Sequence, residues 1–167
     1  IHAIGEIDRS SEDEPLFAPR EGIHSGEMVK AIRKAAGDKQ IDAILLRIDS
    51  PGGSYVASDI IWRELAKAKE KNKPLIVSMG DTAASGGYYI AMNADRIFAD
   101  PATVTGSIGV LLGKLVVGDA LAKLDINHER VTFGESAGMF SATTDFTPKD
   151  LERLNRMLDA TYADFTA

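Results

Sequence analysis

Hydrophobic and polar residues alternate along the chain in blocks that predict strands followed by helices. Two strongly apolar runs, at 41–48 and 75–79, are typical of parallel strands buried on both faces. Further strands are predicted at 1–7, 95–100 and 126–133, and helices at 26–36, 56–71, 88–94, 119–124 and from 148 onward. This order of elements predicts an α/β fold with a largely parallel sheet flanked by helices.

Two glycine-rich turns each follow a predicted strand. The first turn is DSPGGS at 49–54, and the second holds Ser85 between small residues at the start of a helical segment. Because the carboxyl ends of parallel strands meet at one edge of a sheet, the two turns could face each other there. Backbone N–H groups at a glycine turn or a helix N-terminus can stabilise an oxyanion. The alternative is an ordinary tight turn in which the serine caps the helix.

The base for a serine nucleophile is harder to identify. A triad would need His2, His24 or His128, but His24 lies in a polar loop predicted at 8–25 and His128 in a predicted strand. A buried lysine with a lowered pKa is another possible base, although the lysines lie mostly on helix surfaces. The sequence has no His-x-x-x-His pair and no phosphate-binding glycine loop, so no metal or cofactor is predicted.

Composition narrows the possible partners. The formal net charge of −6 argues against nucleic acid and anionic membrane surfaces as direct partners. The absence of cysteine excludes disulfides and thiol catalysis. No apolar run reaches the roughly 18 residues of a membrane span, and both ends resemble cut points. We therefore expect residues 1–167 to be a single domain from a longer protein, whose membrane anchor would lie elsewhere.

The sequence carries three motifs: DSPGG at 49–53, MG at 79–80 followed by ASGGYY at 84–89, and DP at 100–101 followed by TGSIGV at 105–110. Together they resemble the signal peptide peptidase A family, also called protease IV. The resemblance implies a fold related to the Clp protease and to crotonases. It also implies a Ser/Lys peptidase that cleaves remnant signal peptides as an oligomer, on the periplasmic side of a bacterial inner membrane. Ser85 would be the nucleophile, the N–H groups of Gly53 and Gly86 the oxyanion hole, and Ser107 the serine that positions the lysine amine.

The sequence departs from the family pattern at the lysine. In short members the lysine lies about fifty residues after the serine, but residues 132–141 contain none, and Ala137 occupies the expected place. The chain instead resembles the C-terminal, serine-bearing half of the long tandem-domain members, whose N-terminal half carries the lysine. We therefore expect the isolated chain to be inactive. Lys123 and Lys149, the nearest lysines along the chain, fall on predicted helices.

Two other functions stay open at this point. A crotonase-like acyl-CoA enzyme would share the oxyanion turn but would need an acidic catalytic residue after the glycine turns, where none is obvious. The third possibility is a catalytically silent interaction domain that has kept the fold.

Overall fold

The computed structural model describes residues 1–9 and 22–166, which form two compact units, Ile1–Gly109 and Val110–Ala167. The elements of the first unit are β1 (His2–Ile4), β2 (Ile7–Asp8), β3 (Ile23–His24), α1 (Ser25–Gly37), β4 (Ile44–Ser50), α2 (Tyr55–Glu70), β5 (Leu75–Ala84), α3 (Gly86–Tyr89), β6 (Arg96–Phe98) and β7 (Val104–Gly106). Those of the second are α4 (Gly118–Lys123) and α5 (Pro148–Thr166).

The main sheet is parallel throughout. Its strand order is β1-β4-β5-β6, and β7 also pairs with β5. β6 pairs with the first half of β5 and β7 with its end, at Thr82–Ala84. Each strand is reached from its neighbour through a helix or a loop crossover, as parallel pairing requires. The predicted α/β class with a largely parallel, helix-flanked sheet is confirmed.

The core lies where alternate side chains of β4 and β5 meet the helices. Leu46 and Ile48 of β4 are completely buried, as are Ile61 and Leu65 of α2. The alternate face of β4 is open, since Leu45 is 55% exposed, so the prediction that this strand is buried on both faces is wrong. Buried and exposed residues alternate along most of β4, which is the period-2 pattern of a strand with one covered face.

An ion pair joins the two large helices. The Arg33 guanidinium of α1 donates from Nε and Nη2 to the two carboxylate oxygens of Glu64 on α2, each at 2.9 Å. Glu64 is buried, and the hydrogen bonds from Arg33 hold the pKa of its carboxyl below the usual value. The bidentate geometry fixes the rotation of one helix against the other.

Several predicted elements differ from the structure. The predicted strand at 126–133 is not one, because a strand needs a hydrogen-bonded neighbour and the described residues offer it none. The predicted loop at 8–25 contains part of β2 and all of β3, which pair with each other, while its residues 10–21 lie outside the described residues. β5 continues to Ala84 because β7, which the sequence did not predict, pairs with its end.

In the second unit, α5 begins with a reciprocal capping arrangement. The Thr147 amide and hydroxyl donate to Asp150 Oδ2 at 3.1 and 2.7 Å, and the Asp150 amide donates to Thr147 Oγ1 at 3.1 Å. The hydrogen bond from the Thr147 hydroxyl is the main cause of the lowered pKa of Asp150. Among the described helices of both units, none is long and apolar enough to cross a bilayer.

Candidate active site

Ser85 occupies the junction between β5 and α3 in an uncommon backbone conformation. Its φ of 50° and ψ of −121° lie in a region that non-glycine residues rarely adopt. The Ser85 amide donates to the Gly106 carbonyl at 2.9 Å, and its carbonyl accepts from the Tyr89 amide at 2.8 Å. The Ser85 side chain makes no cap hydrogen bond to α3, so the interpretation of Ser85 as a helix-capping side chain is wrong. The hydroxyl is therefore available for other chemistry.

The Gly52–Gly53 turn lies directly against Ser85. A Cβ built on Gly52 would be 2.8 Å from the Ser85 Cβ and 2.6 Å from the Gly86 nitrogen, and Gly52 has a φ of 103°. Any side chain at Gly52 would therefore push the two turns apart and strain the backbone. The structure brings together the two glycine turns that the sequence placed at one sheet edge.

The amides of Gly52 and Ser54, which flank Gly53, both donate hydrogen bonds, whereas the Gly53 amide does not. The Ser50 hydroxyl accepts from the Gly52 amide at 3.1 Å, and the Ile7 carbonyl accepts from the Ser54 amide at 2.7 Å. The Ile7 amide also donates to the Gly52 carbonyl at 2.8 Å. Within residues 1–9 and 22–166, the Gly53 amide makes no hydrogen bond. Because both neighbouring amides are engaged, Gly53 supplies the one amide of this turn that can bind an oxyanion.

The amide of Gly86, the residue after Ser85, is the second candidate donor. In the part of the chain that the structure describes, this amide also donates no hydrogen bond. A Cβ built on Gly86 would lie 3.3 Å from the Gly53 nitrogen and 2.5 Å from the Oγ of buried Ser58. Gly53 and Gly86 therefore sit next to each other beside Ser85, the arrangement that an oxyanion hole requires.

Ser107 follows the strand that borders β5 at its end. Gly106 pairs with Ala84, so Ser85 and Ser107 are the next residues of two paired strands. Ser107 has a φ of 51° and is exposed. Among the described residues its hydroxyl makes no hydrogen bond, and its role in holding a lysine stays a prediction.

His2 and His24, the two histidines of the first unit, do not contact Ser85 through any hydrogen bond among the described residues. His24 lies in β3, buried, with its Nδ1 2.6 Å from Asp8 Oδ1. His2 is an exposed residue of β1, and His128 is an exposed residue of the second unit. Within the described part of the first unit, the Ser85 hydroxyl makes no hydrogen bond to any residue.

The lysines of the first unit lie on the two large helices or just after them. All of them lie on α1 or α2, or in the segments that follow these helices and lead into β4 and β5. β5 has ten residues, so the segment before it is about 30 Å from the serine at the other end. Lys71 and Lys73, which lie in that segment, are therefore too far from Ser85 to act as its base.

In the second unit, two of the three lysines have partners among the described residues. Lys114 donates to the carbonyls of Met139 and Thr144 at 2.9 and 2.5 Å. Lys123 and Lys149 lie on α4 and α5, as predicted, and Lys149 forms an exposed ion pair with Glu135. Ala137, at the place where short relatives carry the lysine, lies in a turn. No group of three His, Asp or Glu residues among those described could hold a metal ion.

Two residues of the site were not singled out from the sequence. Ser50 engages the Gly52 amide, and Asp49 binds the Thr82 amide at 3.1 Å, across the sheet. Both belong to the DSPGG motif, directly before the glycines. Their polar side chains at the end of an otherwise apolar strand were the signal that could have revealed them.

Comparisons with known proteins identify the family of the chain. Residues 67–167 match the model of peptidase family S49. The chloroplastic serine protease SPPA of Arabidopsis thaliana is 41% identical over 142 residues, covering 85% of this chain and 20% of that protein. Protease 4 of Haemophilus influenzae is 40% identical over 121 residues, covering 72% of this chain and 19% of that protein. The chain thus spans about a fifth of the length of these relatives.

A solved structure, that of a ClpP1 mutant from Listeria monocytogenes, is similar over 99% of this chain and 75% of that one, at 18% identity and a TM-score of 0.47. The family match covers more than half of the chain and includes Ser85 and Gly86. The chain therefore belongs to peptidase family S49.

Proposed function

We propose that this chain is the serine-bearing part of a Ser/Lys endopeptidase that degrades remnant signal peptides. The observation that carries the proposal is the position of Ser85. Its uncommon backbone conformation holds the residue beside two amides, those of Gly53 and Gly86, that make no hydrogen bond within the described residues. Strained backbone at a nucleophile is a recurrent feature of active sites, where the surrounding fold supplies the energy that maintains it.

The proposed reaction follows from these groups. The Ser85 Oγ attacks the carbonyl carbon of the peptide bond and transfers its proton to a neutral lysine amine. The carbonyl oxygen becomes an oxyanion that accepts hydrogen bonds from the Gly53 and Gly86 amides. The C–N bond then breaks, and the lysine ammonium gives its proton to the leaving amine. A water molecule hydrolyses the acyl-serine with the same lysine as base, and the carboxylic acid leaves.

The lysine would come from a second domain or from a neighbouring chain, since the region around Ala137 offers none. Ser107, at the end of the strand beside β5, is the hydroxyl that we assign to positioning its amine. We further propose that the active form is a homo-oligomer. By family resemblance it would be held at the bacterial inner membrane, on the periplasmic side, by an anchor outside this chain.

Cleaved signal peptides are the proposed substrates because they combine extended backbone with apolar side chains. α2 begins two residues after Gly53, and its first turns expose Val56 and Ile60. These side chains offer an apolar surface close to the proposed oxyanion hole. A relative in Enterococcus faecium, 37% identical over 126 residues and matching 36% of that protein, is named a putative signal peptide peptidase.

The experiment compares the chain alone with the chain joined to the lysine-bearing region of its own full-length protein. A quenched peptide with an apolar signal-peptide sequence reports turnover. We expect negligible turnover from the chain alone, and turnover from the joined form that Ser85→Ala reduces by at least about 1000-fold. Substantial turnover by the chain alone, abolished by Ser85→Ala, would contradict the claim that the lysine comes from elsewhere.

The same preparations separate the two alternatives. Thioester hydrolysis that Ser85→Ala leaves unchanged would favour an acyl-CoA enzyme. A phosphonate probe that fails to add its mass to Ser85, even in the joined form, would favour a catalytically silent domain. We expect the probe to label Ser85 in the joined form and to leave the Ser85→Ala variant unlabelled.

A further inference from the structure

The strand that carries Ser85 contains a two-residue bulge. Ile48 of β4 pairs with Met79 of β5, but two residues later Ser50 pairs with Ala83. From one pair to the next, β5 therefore advances four residues while β4 advances two. The two extra residues of β5 lie between Met79 and Ala83. Bulges of this kind bend a strand and re-aim the residues that follow it.

The bulge decides which residue of β5 meets the glycine turn. Continuing the pairing from Ser50 and Ala83 brings Gly52 opposite Ser85, in agreement with the close approach of these residues. Without the two extra residues, the pairing of Ile48 with Met79 would bring Gly52 opposite Ala83. The serine would then lie two residues farther on, about 7 Å away. The candidate nucleophile reaches the Gly53 amide only because the bulge is present.

The side chain of Asp49 holds the bulge in place. Its Oδ1 accepts from the Thr82 amide at 3.1 Å, at a residue that the bulge has removed from regular pairing with β4. The same side chain fills the space over Gly80, where an added Cβ would lie 2.9 Å from the Asp49 Cγ and 3.0 Å from Oδ2. Asp49 is also the first residue of the DSPGG turn. A single side chain thus links the strand of the nucleophile to the turn of the proposed oxyanion hole.

Two other side chains hydrogen-bond to carbonyl groups at the start of the bulge. Arg47 donates to the Ser78 hydroxyl at 2.7 Å and to the Met79 carbonyl at 2.8 Å, just before the bulge. Thr103 donates from its hydroxyl to the Gly80 carbonyl at 2.8 Å. Neither residue engages the Thr82 amide or belongs to the glycine turn. Asp49 alone among these three connects the two halves of the site.

We propose that Asp49 is a positioning residue, which sets the register of Ser85 against the Gly53 amide by holding the Thr82 amide in the bulge of β5. This proposal rests on the proposed function of Ser85. Asp49 does not touch the reacting atoms in this account. Its loss would let the bulge relax and move the hydroxyl relative to the oxyanion donors, and displacements of about 1 Å can reduce a rate about 100-fold.

The test compares Asp49→Ala, Asp49→Asn and the control Asp42→Ala in the joined, active form. Asn keeps an oxygen acceptor for the Thr82 amide, whereas Ala removes it. Asp42 is an exposed acid just before β4, so Asp42→Ala changes the net charge by the same amount as Asp49→Ala. We expect Asp49→Ala to lower kcat about 100-fold with KM within about twofold, and Asp49→Asn to keep at least about a third of the activity. Asp42→Ala should match the wild type.

A second measurement does not depend on turnover. Hydrogen exchange followed by mass spectrometry should show at least about tenfold faster exchange in peptides covering 79–86 of Asp49→Ala, with α1 and α2 unchanged. Unchanged exchange in 79–86, or an Asp49→Ala variant that keeps its kcat within threefold, would overturn the proposal. If the wild type turns over no peptide, that result counts against the proposed function, and the exchange measurement still decides whether Asp49 holds the bulge.

Discussion

The two compact units differ sharply in how they treat their apolar side chains. The first, residues 1–109, buries a continuous core in which Leu46, Ile48 and Ile61 are completely inaccessible. In the second unit only Met139, Leu154 and Phe165 among the described apolar residues are buried. Leu111, Val131 and Phe133 are almost fully exposed there, at 96%, 101% and 100%.

This difference indicates that the packed first unit sets the geometry of the candidate site. Ser85, Gly53, Gly86 and Ser107 all belong to the first unit, and their backbone is fixed by the sheet and helices of that unit. The arrangement of the oxyanion donors therefore depends on packing within residues 1–109. The exposed apolar residues of the second unit fit the proposed oligomer, in which a neighbouring chain would cover them.

The largest expected effect comes from adding a methyl group in the first unit. In Gly52→Ala the new Cβ would lie 2.6 Å from the Gly86 nitrogen, and the residue would also have to keep a φ of 103°. We expect peptide turnover by the joined, active form to fall about 1000-fold, because the proposed oxyanion donors are displaced. Initial rates with the quenched peptide would measure this loss.

The matched change in the second unit is Gly113→Ala. No atom lies within 4 Å of a Cβ built there, apart from the residue's chain neighbours, and Gly113 does not have a positive φ. Its turnover should stay close to that of the wild type. A Gly52→Ala variant that kept a tenth of the activity would contradict the close approach of the two turns.

A core truncation gives the next largest effect. Leu46→Ala removes a completely buried side chain of β4 and should lower the free energy of unfolding by about 3 kcal/mol. Val131→Ala shortens a fully exposed side chain of the second unit and should change it by less than about 0.5 kcal/mol. Urea unfolding of the two variants measures both values. Equal losses would show that the second unit has a core that the described contacts do not reveal.

The smallest effect is the loss of the cap of α5. Thr147→Ala removes the hydroxyl that exchanges hydrogen bonds with Asp150 and should cost about 1 kcal/mol near pH 7. The pKa of Asp150 is lowered in the folded chain, so the stabilisation is complete above the unfolded value of about 3.9 and is lost as the pH falls through the folded value. Urea unfolding at pH 7 and pH 3 should therefore show wild type and Thr147→Ala converging in acid.

Lys149→Ala is the control for this cap. It removes an exposed ion pair with Glu135, also at the start of α5, and should change the unfolding free energy by less than about 0.5 kcal/mol. A difference between wild type and Thr147→Ala that is as large at pH 3 as at pH 7 would contradict the role of the ionised Asp150.

The sequence predicted the elements whose pattern is local. The apolar runs around Leu46 and Val77 marked the two central strands, and the turns at Gly52 and Ser85 were correctly placed at one sheet edge. The capping pair Thr147 and Asp150 is equally local, because a capping box lies within four residues. Each of these features depends on a few consecutive residues, so the local sequence is enough to indicate it.

What the sequence did not reveal depends on distant partners. β7 is a strand because its residues pair with the end of β5. The segment at 126–133 is not a strand because no described strand pairs with it. The bulge at Gly80 and the hydrogen bond from Thr82 to Asp49 involve residues more than thirty positions apart. Long-range register is set by tertiary packing, and the local pattern of a single strand does not contain it.

The bridge between Ile7 and Gly53 affects when the candidate site can form as the chain folds. The groups that surround the serine come from positions 7, 53, 85 and 106, so they are brought together only when most of the first hundred residues have closed into place. A chain still emerging from the ribosome, with Ser85 already made but Gly106 not yet available, has no assembled nucleophile. The geometry around Ser85 therefore depends on contacts that span positions 7 to 106, and a shorter N-terminal piece lacks part of them.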